Sequence, residues 1–189
     1  MKRPASLFLS ALFAGAVLCA GCGEAAQPAA RPAPLAEAPA PAGRPVSGEE
    51  ALAIALANAG VPESRAQVRK LERDGDSGIP IYDIEFETPY GDYDFEIAIE
   101  TGAIVGADYE VQEEWVRRQP ARPVSPEEAK AIVQSKVPGL PADAIRIRRE
   151  SGDGYGRYEG RAAFRGMVYE FEMDPGTGLI FDWTADLRN

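Results

Sequence analysis

The sequence predicts an α+β fold built from two tandem units, each one helix packed on a three- or four-stranded antiparallel sheet. Three observations carry that prediction. The back two thirds of the chain repeat themselves, each copy opens on a helix-capping signature, and each copy continues into apolar residues alternating with charged ones.

The repeat is read directly. Arg44-Pro45-Val46-Ser47 returns as Arg122-Pro123-Val124-Ser125, and Glu49-Glu50-Ala51 returns as Glu127-Glu128-Ala129, both at an offset of 78. Tyr93-Asp94-Phe95-Glu96 returns as Tyr169-Glu170-Phe171-Glu172, and Thr101-Gly102 as Thr177-Gly178, at an offset of 76. Ordered self-similarity of this kind marks duplicated structural units. In each copy Ser47 or Ser125 suits a helix N-cap, and Glu50 or Glu128 three residues on completes a capping box. Pro126 suits the first helical position, where a missing N–H costs nothing. Ala51, Ile54, Ala55 and Ala59 line one helical face, as do Ala129, Ile132, Val133 and Val137 in the second copy. The helices should stop near Gly60-Val61-Pro62 and Val137-Pro138-Gly139.

Strands follow. Tyr82, Ile84 and Phe86 alternate with Asp83, Glu85 and Glu87, and Tyr93, Phe95, Ile97 and Ile99 alternate with Asp94, Glu96 and Ala98. Tyr169, Phe171 and Met173 repeat the pattern, which puts one face of each sheet in a core and the other in water. Thr101-Gly102 and Gly176-Thr177-Gly178 read as turns before a last apolar strand. Weaker strands are expected around Gln67–Leu71 and Ala144–Arg148. The middle strand of the second copy, Gly160-Arg161-Ala162-Ala163-Phe164, is less apolar than its counterpart. A unit of some 65 residues is marginal alone, so the two are expected to pack together.

Composition narrows the function. Of 189 residues, none is histidine, and the formal net charge is -10. Histidine-based triads, Cys-His catalysis and almost all zinc enzymes are thereby excluded. The acidic balance excludes nucleic acid as a partner, since phosphate binding needs a basic stripe. Cys19 and Cys22 are the two cysteines, both upstream of the repeat, so no disulfide staples it.

Lys2 and Arg3 precede an apolar run of about 16 residues from Ala5 to Ala20. That is shorter than the ~20 a membrane-spanning helix needs, and it fits a signal peptide. Leu18-Cys19-Ala20-Gly21-Cys22 resembles a bacterial lipobox. The resemblance implies cleavage after Gly21 and lipidation of Cys22, and Gly23 in place of Asp implies outer-membrane sorting, facing the periplasm. Cleavage removes two cations and no acid, taking the formal charge from -10 to -12. The organisation expected is a signal peptide over 1–21, an Ala/Pro-rich tether over 22–44, a first unit over 45–109, a linker over 110–121 and a second unit over 122–189.

Ser-x-Glu-Glu-Ala opening a helix, then Tyr82-Asp83-Ile84-Glu85-Phe86, Tyr93-Asp94-Phe95-Glu96-Ile97 and Glu100-Thr101-Gly102-Ala103-Ile104-Val105, resembles a PepSY domain. The second copy resembles it through Val168 to Met173 and Gly176 to Ile180. The resemblance implies a non-enzymatic extracytoplasmic module without cofactors, whose partner is an envelope or secreted protein. A protease held in check is one such partner.

The candidate interaction surface is the wet face of the first sheet: Asp83, Glu85, Glu87, Asp94 and Glu96, with Asp92 beside them. Like charges on neighbouring strands repel. Such a face is kept either for a basic partner or a cation, or is neutralised by Arg65, Arg69 and Arg73 from the adjoining strand. The alternative to a binding module is a cation-buffering or structural envelope lipoprotein. Asp74-Gly75-Asp76-Ser77-Gly78 lacks the downstream Glu of a calcium loop and reads as a turn. Gly152-x-Gly154-x-Gly156 has no helix after it to receive a phosphate. Trp115 and Trp183 read as core or docking aromatics. No feature selects a carboxylate pair for glycosidase chemistry, and neither metal nor catalytic residues are expected.

Overall fold

The computed structural model describes residues 44–75, 78–152 and 155–187. The predicted signal peptide, the predicted lipidation site Cys22 and the tether up to residue 43 lie outside them, as do Asp76, Ser77 and Gly154. The fold is α+β with a single antiparallel sheet of eight strands. Its members are β1 (Gln67–Asp74), β2 (Ile81–Thr88), β3 (Gly91–Ala98), β4 (Ile104–Val111), β5 (Arg146–Gly152), β6 (Tyr155–Phe164), β7 (Met167–Met173) and β8 (Ile180–Leu187). The order across the sheet is β1-β2-β3-β4-β8-β7-β6-β5. Each repeat therefore contributes a four-stranded meander, and the last strands of the two meanders pair with each other.

Helix α1 (Gly48–Ala59) opens the first repeat and α3 (Pro126–Lys136) the second. Both carry the full capping box: Ser47 Oγ accepts from the Glu50 N–H, Ser125 Oγ accepts from that of Glu128, and each Glu takes the cap's own N–H. Gly60 ends α1 at φ 73°, a left-handed cap that glycine adopts without Cβ strain. Ahead of each helix the chain is pinned to the final hairpin of its own repeat, through Val46 N–H to the Ile99 carbonyl at 2.8 Å and Val124 N–H to the Pro175 carbonyl at 3.0 Å. A short helix, α2 (Glu113–Arg117), occupies the stretch read as linker, and Trp115 on it stacks on Tyr90 with ring centroids 3.8 Å apart.

The helices leave one sheet face bare. On the covered face, Ile84, Phe86, Phe95, Tyr109, Phe171, Met173 and Trp183 join Ala51, Ala55, Ala129 and Val133 of the helices in one buried cluster. Trp183 thus belongs to the core. Gly160 explains the weakly apolar middle strand of the second repeat. It pairs with Phe171 as Ile84 pairs with Phe95 in the first repeat. The Phe171 ring fills the place its side chain would take: a Cβ on Gly160 would lie 2.0 Å from Phe171 Cζ. A neighbouring aromatic supplies the apolar volume this strand lacks.

The β4–β8 seam is close to two-fold symmetric. Asp108, at its centre, pairs with Thr184, 76 positions later and hence its own repeat counterpart. To one side Tyr109 faces Trp183, and to the other their counterparts Ala185 and Ala107 face each other. Above the seam, Asn58 Nδ2 donates to the Lys136 carbonyl at 3.0 Å, and these two residues are counterparts as well, 78 apart. Residues meeting their own equivalents are what an isologous interface between two like subunits produces. Among the described residues no helix is long and apolar enough to cross a membrane.

Candidate functional site

Two features invite a ligand: the bare sheet face, and a cavity on the helical side where the repeats meet.

The bare face carries every residue of the predicted surface, because odd positions of β2 and even positions of β3 point the same way. Asp83 faces Glu96, Glu85 faces Asp94 and Glu87 faces Asp92. The structure divides these acids into two groups. Asp83 and Glu85 both accept from Lys70 Nζ, at 2.6 and 3.2 Å, and Glu87 pairs with Arg69. The flanking strand β1 thus neutralises the acids of β2. Of the arginines expected to do so, Arg69 does. Arg73 turns to the other face, over the Tyr82 ring at 5.5 Å. Lys70 takes its place, and the bulge between Val68 and Lys70 brings two consecutive cations to the task.

Asp94 and Glu96 belong to the second group. Beyond β3 the acids continue across the seam. Asp94 faces Asp108 and Asp92 faces Glu110 on β4, and Glu110 in turn faces Asp182 and Gly106 faces Asp186 on β8. Among the described residues no ion pair reaches Asp92, Asp94, Glu96, Asp108, Glu110, Asp182 or Asp186. At the far side charges pair again: Arg148 with Glu159 at 2.5 Å, Arg157 with Glu172 at 2.9 Å and Arg161 with Glu170 at 3.2 Å. The bare face is therefore balanced at its flanks and bears a stripe of unpaired negative charge along its middle. Burial first, then the neighbouring Asp108, Glu110 and Glu170, pushes the Asp182 carboxyl above its usual range. Burial and then Asp83 and Glu85 do the same to Asp94.

A raised carboxyl pKa makes ionisation costly in the fold, so the stability it affects is lost as pH rises through the folded value and regained on acidification. Asp182 has acids on both cross-strand sides, Glu110 and Glu172. We expect Asp182→Asn to stabilise the protein at neutral pH by about 0.5–1 kcal/mol, the size of relieved like-charge cross-strand pairs. The gain should shrink as pH falls through the carboxylate range, because the raised native carboxyl takes up its proton before the unfolded one does. Urea titrations of both proteins across that range check it; a variant no more stable than the parent at neutral pH refutes the electrostatic account.

Among the described residues no group of three or more acids is placed to hold a metal ion. Asp74 ends β1, opposite Ile81 of β2, and Gly152 and Gly156 lie in the antiparallel strands β5 and β6.

The cavity on the helical side measures about 290 Å³. Its walls are Ile104, Val105, Val137, Phe164, Met167, Tyr169, Trp183, Ala185 and Leu187, with Asn58, Lys136 and Arg165 as its polar members. It opens on the side of the seam where two alanines meet in place of Tyr109 and Trp183. Lys136 Nζ donates to the Asn58 carbonyl and sits 5.2 Å from the Tyr109 ring centroid and 5.8 Å from that of Trp183. Desolvation lowers the Lys136 ammonium pKa to about 7. The carbonyl and the two rings favour the charged form, and so work against that shift. None of these cavity residues belongs to the predicted surface. Of its polar members, the sequence hints only at Asn58 and Lys136, which occupy equal places in the repeat.

The profile of the peptidase propeptide and YPEB domain, PepSY, matches residues 45–108 and 123–183. The chain belongs to the PepSY family. Its two matched regions are the two meanders with their helices. Among solved structures, the Bacillus megaterium YpeB C-terminal domain is similar at 14% identity and a TM-score of 0.47, covering 75% of this chain and 63% of that one. A protein of Clostridium difficile 630 described as a lipoprotein is similar at 14% identity and a TM-score of 0.31, covering 76% of this chain and 95% of that one. Curated proteins give no match. Neither structural likeness bears on function.

Proposed function

We propose that this PepSY protein is a non-catalytic extracytoplasmic binding module, held at the cell envelope by a lipid on Cys22 and carrying two repeats, 45–109 and 122–189, on an Ala/Pro-rich tether. It docks a basic surface of another envelope or secreted protein on the bare face of the sheet, and a protease restrained by that contact is the foremost candidate. The observation that carries this reading is the contrast within the face. Flanking acids are matched by Lys70, Arg69, Arg148, Arg157 and Arg161, while among the described residues Asp94, Glu96 and their neighbours on β4 and β8 make no ion pair. Unmatched like charge costs stability; a cationic partner would return that cost on binding and would be steered to the stripe from a distance.

The triple variant Asp94→Asn, Asp108→Asn, Asp182→Asn tests it. Cross-linking in intact envelopes should trap a basic protein with the parent and not with the triple variant. A flank variant, Arg161→Gln with Glu170→Gln, should trap it as the parent does. Equal capture by the parent and the triple variant would remove the stripe from the mechanism.

A further inference from the structure

The cavity at the junction of the repeats stands apart from the acidic stripe, on the opposite side of the sheet, and its chemistry is the reverse. In a chain of net charge -10, its charged lining residues are the cations Lys136 and Arg165. Neither has a carboxylate partner among the described residues: Lys136 rests on a carbonyl and two rings, and Arg165 Cζ lies 4.8 Å over the Phe164 ring. Arg165 is also the one non-glycine residue with positive φ, 50°, among those described. It holds that disfavoured conformation in the two-residue turn between β6 and β7, where asparagine or glycine is the usual choice. The third polar member, Asn58, donates through Nδ2 to the Lys136 carbonyl, so its amide orientation is set, and its Oδ1 is buried with no donor. Apolar side chains line the remainder, Leu187 among them at 44% exposure.

We propose that this cavity binds the C-terminal end of a peptide with an apolar last residue. The terminal carboxylate meets Lys136 and Arg165, the last side chain lies against Phe164, Met167 and Trp183, and the peptide N–H reaches Asn58 Oδ1. Charge complementarity selects an anion, the walls select an apolar body, and the buried acceptor selects a ligand with an N–H beside the anion. A fatty acid offers the first two and lacks the third. Buried polar groups left unpaired are costly, so a ligand that satisfies all three gains over one that does not.

Titration calorimetry of the intact chain separates the possibilities, with acetyl-Gly-Ala-Leu as free acid, the same peptide as its C-terminal amide, and decanoate. The free acid should bind, the amide about tenfold or more weakly, and decanoate no better than the amide. Arg165→Gly suits the local backbone and keeps the fold, and it should weaken the free acid about tenfold while leaving the amide unchanged. Lys136→Met should act likewise where near-UV circular dichroism shows it folded. Equal binding of acid and amide, no binding of either, binding of decanoate in place of the peptide, or unchanged affinity in folded Arg165→Gly would each overturn the proposal. The acidic-stripe variants read a different surface, so failure here leaves the docking proposal standing and the reverse holds too.

Discussion

Trp183→Ala should cost about 3–5 kcal/mol of folding stability, the range seen on deleting a large buried aromatic side chain. Trp183 is 2% exposed and sits at the point where the two repeats become one sheet. On β8 it pairs with Tyr109 across the seam and with Phe171 within its own repeat. Its ring centroid lies 6.5 Å from Tyr109, 5.7 Å from Tyr169 and 6.3 Å from Phe171, and the Lys136 ammonium rests over it. The counterpart pair across the seam is Ala107 with Ala185, so the aromatic side supplies most of the apolar area there. Truncation leaves a cavity, strips the ammonium of one of its rings and loosens the contact between the repeats. Against a total of some 5–15 kcal/mol for a typical domain, that is a large share. Urea unfolding followed by circular dichroism should show the midpoint fall steeply for Trp183→Ala and less for Trp183→Phe. Trp115→Phe, which keeps the stack on Tyr90, should change little. A loss under about 1.5 kcal/mol for Trp183→Ala, within the ordinary run of substitutions, would refute the assignment of the seam as a stability centre.

Gly160→Ala should be destabilising by about 1–3 kcal/mol, although alanine ordinarily improves on glycine inside a strand. The added Cβ would lie 2.0, 2.4 and 2.6 Å from Cζ, Cε1 and Cε2 of Phe171. Phe171 is 2% exposed and packs on Trp183, so its ring cannot yield without disturbing the seam. The entropic gain from restricting the unfolded chain, about 0.4–1 kcal/mol, is the smaller effect. A smaller residue at position 171 should relieve the clash: Gly160→Ala should cost less in a Phe171→Leu background than alone. Gly106→Ala is the contrast, because its nearest neighbour is the Glu96 carboxylate at 2.8 Å, which can swing into water. Thermal melts of the parent, Gly160→Ala, Phe171→Leu, the double variant and Gly106→Ala decide the matter. Additive effects of Gly160→Ala and Phe171→Leu would show that ring and glycine do not share one space.

Much of this architecture was legible because it rests on local chemistry. The capping boxes at Ser47 and Ser125 depend on a hydroxyl and a carboxylate three residues apart, and both form as read. The alternation through β2, β3 and β7 depends on the strand period alone, and Tyr82, Ile84, Phe86, Tyr93, Phe95 and Phe171 are all buried. The candidate surface was legible only as a set of side chains on one face. Which acids would be neutralised depends on the register of β1, where the bulge delivers Lys70 to Asp83 and Glu85 and Arg73 goes to the other side. Asp108 and Glu110 escaped because only the β3–β4 register sets them opposite Asp94 and Asp92, and Asp182 and Asp186 because they join the stripe only when β4 meets β8.

The sequence by itself determined the number of units, the helix that opens each, the strands that follow, the family, and the absence of imidazole chemistry. These are properties of residues near one another in the chain, where spacing is geometry. The tertiary structure alone decided that two meanders fuse into one eight-stranded sheet, that their fusion lines up unpaired acids on one side, and that it encloses Lys136, Asn58 and Arg165 on the other. Those facts depend on which strand edge finds which, over separations of some 75 residues. Periodicity carries no record of a partner so far away.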